Sequence, residues 1–140
     1  MSSTTTANAP DAVQELAVER LEAAVERARP VGDSAALIEA LLALGRAYYD
    51  TGNTPKGLTQ IEEALDMAHA SGNKDAEARL WGYKGMALAR LGNTLFAHRA
   101  FTKSLGLAAE LGHPALQADA HAQLGQISVD QGEASKAVSH

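Results

Sequence analysis

Apolar residues recur along this chain at intervals of three and four. Leu37, Leu41, Leu44 and Tyr48 form one such stripe, and Leu80, Lys84, Ala87 and Leu88 keep the same spacing with Met86 beside them. Residues so spaced share one face of a helix of 3.6 residues per turn. No segment alternates apolar and polar residues with β-branched enrichment, so no strand is expected. The stripes break at Gly52-Asn53-Thr54-Pro55 and Gly92-Asn93-Thr94. There a glycine suits a helix C-terminus, a threonine an N-cap, and Pro55 a first helical position. Ser34 and Pro114 mark two further starts. The expected order is a disordered tail over 1–12, helices near 13–30, 34–51, 54–71, 74–91, 94–111 and 114–131, and a truncated seventh from about 134.

The pattern also repeats at longer range. Gly45, Gly85 and Gly125 lie 40 residues apart, as do Gly52, Gly92 and Gly132, and Gly32, Gly72 and Gly112. Ala28, Ala68 and Ala108 keep the same interval, and so do Leu65 and Leu105. A fixed period of this length marks stacked supersecondary units, none of which can bury its apolar face alone. The units are a half repeat over 13–33, repeats over 34–73 and 74–113, and a partial repeat over 114–140.

Within each unit the residues resemble the tetratricopeptide (TPR) helix-turn-helix pattern, in which Trp is followed by Leu-Gly three residues on, then Tyr, then Ala and Phe four apart. Repeat one reads Leu41, Leu44-Gly45, Tyr48, then Gly57, Ile61 and Ala64. Repeat two reads Trp81, Lys84-Gly85, Leu88, then Ala97, Phe101 and Ser104, and repeat three opens His121, Leu124-Gly125, Ser128, Ala137. Ala17, Leu21 and Ala24 keep the register of a second helix. Physically, Gly45, Gly85 and Gly125 stand where a side chain would hold two helices apart. The unit exceeds the usual TPR length by about six residues, and units of this length are similar to those of LGN/Pins-type scaffolds and bacterial regulatory arrays. The resemblance implies an all-α, right-handed superhelix of antiparallel helix pairs that holds an extended peptide in its concave groove.

Composition narrows the alternatives. The chain has 140 residues, 46% hydrophobic and 21% charged, an ordinary globular balance. It has no cysteine, which removes disulfides, thiolate metal sites and a cysteine nucleophile. A net charge of -5 without a basic cluster argues against nucleic acid as a partner. No run of apolar residues is long enough to span a membrane, and the expectation is a cytoplasmic protein.

Local chemistry is sparse. His69, His98, His113, His121 and His140 are not paired three or four apart on one helix, so no metal or cofactor is expected, and His121 reads as a packing residue. Gly52-Asn53-Thr54-Pro55-Lys56-Gly57 lacks the Gly-Lys-Ser/Thr ending of a phosphate loop and is a turn. Glu62 and Glu63 are adjacent, so they diverge by about 100° on a helix and cannot share a substrate. Tyr48 and Trp81 fall on packing positions, whereas Tyr49 falls on the opposite, inner side. No catalytic constellation is present, and no enzyme is expected.

The resemblance places the groove residue by residue. Repeat one contributes Glu39, Leu42, Arg46, Tyr49 and Asp50; repeat two Arg79, Gly82, Met86, Ala89 and Arg90; repeat three Asp119, Ala122, Gln126, Val129 and Asp130. Leu42, Tyr49, Met86 and Val129 are expected as apolar residues held on a contacted surface. The arginines lie centrally and the carboxylates flank them, which suits a partner peptide with an acidic centre, anchored by Arg79 and Arg90. The Lys and Asn positions of carboxylate-clamp TPRs and the asparagine ladder of LGN are otherwise occupied, the latter by Ala43, Tyr83 and Gln123. The class therefore carries over without its ligand. Two further expectations remain: self-association through uncapped end helices, and membership of a longer array from which this chain is a fragment.

Overall fold

The computed structural model describes residues 9–139, with side chains over 12–137. The segment 1–8 of the expected tail, and His140, lie outside the described residues. Among the described residues six α-helices follow one another: α1 Ala9–Ala28, α2 Ser34–Asp50, α3 Thr54–Ser71, α4 Lys74–Arg90, α5 Thr94–Leu111 and α6 Pro114–Ser139, with a 3-10 turn Arg29–Val31 after α1. Among the described residues there is no strand.

From α2 onward the connections are two or three residues long, that between α1 and α2 is longer and includes the 3-10 turn, and consecutive helices pack on each other from α1 through α6. Glycine makes the reversals possible. Gly32, Gly52, Gly72, Gly92 and Gly112 all have positive φ, from 62° to 88°, a backbone that other residues enter only at a cost. The residue after the glycine then closes the preceding helix: the Asn53 N–H donates to the Tyr48 carbonyl at 2.8 Å and the Asn93 N–H to the Leu88 carbonyl at 2.9 Å.

Caps differ from expectation by one residue. Thr54 and Thr94 are the first helical residues, preceded by Asn53 and Asn93 as N-caps without a side-chain bond, which puts Pro55 second rather than first. At the alternate turns the cap is a side chain. Asp33 Oδ1 accepts from the Ala36 N–H, Asn73 Oδ1 from the Ala76 N–H, and His113 Nδ1 from the Leu116 N–H, at 3.2, 3.2 and 3.3 Å. These three caps share one track of the 40-residue period.

Both ends differ more. Residues 9–12, placed in the expected tail, are already helical in α1. The expected break near 131–134 is absent, and α6 runs on through Gly132. Glu133 and Ala134 stand where Asn-Thr stands in the earlier repeats, and Gly132 is not among the glycines of positive φ.

The core follows the register. Ile38, Leu41, Leu44, Tyr48, Ile61, Leu65 and Leu80 join α2, α3 and α4 with Val25 of α1. Ala97, Phe101 and Ile127 join α5 to α6. A Cβ on Gly45 would come within 2.7 Å of Ile61, and one on Gly85 within 2.6 Å of Phe101, so these glycines admit the largest side chain of the facing helix. Gly125 has nothing within 4 Å, and His121 is exposed rather than packed. No described helix covers that face of α6. Trp81 is half-buried, with the Lys84 ammonium over its ring at 5.0 Å and ion-paired to Glu62 at 3.4 Å, which lets a lysine occupy a leucine position.

Candidate functional site

α4 touches α2 on one side and α6 on the other, which sets these three helices side by side. Between them lies a cleft of about 460 Å³. From α2 it receives Leu42, Arg46, Tyr49 and Asp50; from α4, Arg79, Gly82 and Met86; from α6, Asp119 and Ala122. These are positions that the groove register selects. Its floor is apolar, formed with Phe101 of α5 and Leu116 and Ala120 of α6.

The remaining register positions lie beside the lining. Glu39 pairs with Arg79 in a two-point contact at 2.6 and 3.3 Å, and Asp75 takes the Arg79 Nε at 3.2 Å. Arg90 lies flat on the Tyr49 ring, 3.6 Å from its centroid, and donates to the Tyr49 carbonyl at 2.6 Å. Gln126 and Asp130 hydrogen-bond to each other along α6 at 2.9 Å, and Val129 is 54% exposed; none of the three lines the cleft.

Two expectations change here. Leu42 is 5% exposed and belongs to the core, because the α2 face that borders the cleft also packs on its neighbours. Arg79 and Arg90 are not waiting for a ligand. The hydrogen bonds from Glu39 hold the Arg79 guanidinium above its usual range, so it stays charged but occupied. The uncommitted cation is Arg46, which lies over the Tyr83 ring at 5.4 Å and has no carboxylate within ion-pair distance among the described residues.

Tyr83, Gln123, Phe101, Ser104, Leu116 and Ala120 line the cleft without having been selected. Tyr83 and Gln123 had a signal, since they occupy the ladder track with Ala43. Phe101 and Ser104 had none, because they come from the second helix of a unit, Ser104 lying against Gly82 and Phe101 against Gly85.

Other polar groups are structural. Tyr48 donates to a Glu22 carboxylate oxygen, and burial with that bond pushes its hydroxyl up to about 12. Arg29 grips Glu63 at 2.6 and 3.1 Å, which holds the Glu63 carboxyl below its usual range. Glu77 is 3% exposed, with His69 at 3.6 Å and Lys74 at 3.8 Å. No three His, Asp or Glu among the described residues converge as metal ligands would. No described helix is long and apolar enough to cross a membrane.

No family model matches the chain, and no curated protein matches it by sequence. By shape it is similar to the crystal structure of BtubC (BKLC) from P. vanneervenii, with a TM-score of 0.79 and 19% identity. The match covers 89% of this chain and 51% of that one, so the chain spans about half the length of that neighbour. At this identity the likeness shows a shared fold and no more.

Proposed function

We propose that the chain is a TPR-type right-handed superhelix that acts as a non-catalytic scaffold, binding a peptide segment of a partner protein in the cleft between α2, α4 and α6. One observation carries this reading: alternate helices α2, α4 and α6 each contribute residues to a single cleft with an apolar lining, bordered by exposed Arg46, which has no carboxylate partner among the described residues. The 40-residue register supports the class, because Gly45 against Ile61 is repeated as Gly85 against Phe101. An acidic group on the peptide complements Arg46. Recovered from a lysate of the protein's own host, the partner is expected to be retained by wild type and lost from Arg46→Glu, with unchanged circular dichroism for both. Equal retention would remove the cleft from the account.

A second reading is self-association through the end helices, favoured by the uncovered Gly125 face and by Val13 and Leu16 of α1, which are 66% and 53% exposed. On this reading the solution mass by light scattering rises with concentration, and Gly125→Glu holds it at 14.6 kDa. A wild-type mass that stays constant rejects it.

A further inference from the structure

We propose that Gly82 forms the seat for one large apolar side chain of the bound peptide, whose single carboxylate is held by Arg46. This rests on the reading of the cleft as a peptide groove and adds what the peptide must look like.

The argument begins with a glycine that the fold does not require. Gly82 is helical, unlike Gly92 with its positive φ. It admits no neighbouring side chain, unlike Gly85, since an added Cβ would meet only Ser104 Oγ at an ordinary 3.5 Å. Glycine inside a helix weakens it, so this position forgoes stability without relieving a clash. What the missing side chain leaves is space. Leu42 and Ala122 occupy the equivalent positions 40 residues either side, and both project side chains into the cleft.

The surroundings of that space fix its chemistry. Ser104 lies against it, and Phe101, Leu42, Met86 and Leu116 line the same cleft. Ser104 Oγ is buried and donates to the Ala78 carbonyl at 2.7 Å, so its proton is spent. A carbonyl or carboxylate seated there would lose water without finding a donor in Ser104, whereas an apolar side chain gains by leaving water. On the rim, Arg79 is taken by Glu39 and Asp75, and Arg90 by the Tyr49 ring and carbonyl, which leaves Arg46 for one carboxylate. Asp50 and Asp119 border the same cleft and repel a second acidic group. The fitting segment therefore has one Leu-, Met- or Phe-sized residue near one acidic residue, with neutral or basic flanks.

The experiment selects a phage-displayed random dodecapeptide library on the full chain, then measures recovered peptides against wild type, Gly82→Leu, Gly82→Ala and Arg46→Glu. Recovered sequences are expected to share one large apolar residue at a fixed distance from one Asp or Glu. Replacing that apolar residue with alanine should weaken binding to wild type by about ten- to a hundredfold. Against Gly82→Leu, which fills the seat with a better helix former, the same replacement should change affinity by less than about twofold, because the two substitutions remove one contact. Gly82→Ala should fall between. Peptides that depend on Arg46 but need no apolar residue, or whose truncation costs the same in wild type and Gly82→Leu, overturn the seat and leave the groove standing. A library that yields no specific binder overturns both.

Discussion

At the scale of single residues, three glycines on or beside one repeat track behave differently, and the difference is in what faces them. Gly85→Ala drives a Cβ into the Phe101 ring at 2.6 Å, and it should cost about 1–3 kcal/mol in urea unfolding. Gly82→Ala meets only ordinary contact and should stabilise by about 1 kcal/mol. A gain at both positions would refute the close helix approach. The packing role of Gly45 and Gly85 was legible from their spacing; the vacancy over Gly82 was not, because it depends on Phe101 and Ser104, which arrive from another helix. Tyr48 was legible as a packing residue but its bond to Glu22 crosses 26 residues with no local signature. Its raised hydroxyl has a testable sign. Unfolded tyrosine ionises near 10 while folded Tyr48 holds its proton to about 12, so this contribution is complete below pH 10 and is lost between pH 10 and 12. Tyr48→Phe should lower stability by about 1–2 kcal/mol near neutral pH and flatten the decline across that alkaline window. An unchanged alkaline slope would show that other groups cause it.

At the scale of elements, helix order and most boundaries were readable because glycine turns and apolar stripes agree in period, whereas the expected truncated seventh helix is part of α6. The exceptions were places where one signal outran the other. Gly132 keeps the turn track, but it does not take the positive φ of the turn glycines, and no described helix waits to pack on a reversed segment. The same residue type therefore has opposite consequences. Gly92→Ala, at φ 82°, should destabilise by about 1–2 kcal/mol, whereas Gly132→Ala should raise helicity in circular dichroism without loss of stability. If Gly132→Ala instead destabilised the protein as Gly92→Ala does, α6 would be broken at that glycine after all. The cap of α6 by His113 also escaped the sequence, since histidine is not among the usual capping residues; only its place on the track with Asp33 and Asn73 marks it.

Across the whole molecule, ion pairs tie together the first part of the chain: Arg29, in the turn after α1, to Glu63 of α3, Glu39 of α2 to Arg79 of α4, and Glu62 of α3 to Lys84 of α4. Each is part-exposed, so together they fix register more than they add stability. At the cleft, Glu39 occupies Arg79 while the Tyr49 ring and carbonyl occupy Arg90, which leaves Arg46 of the cations that sequence order alone assigned to a ligand. The groove positions on α2 and the first half of α4 were legible because inner-face register persists there. Gln126, Val129 and Asp130 do not line the cleft, whose α6 residues run from Leu116 to Gln123. The most direct test of the central claim is a two-dimensional amide NMR titration of the full chain with a library-selected peptide. Shifts concentrated at Leu42, Arg46, Gly82, Met86 and Ala122, along adjoining faces of α2, α4 and α6, are the predicted result. Shifts confined to α1, to the outer face of α3 and α5, or to the Gly125 face of α6 would contradict it.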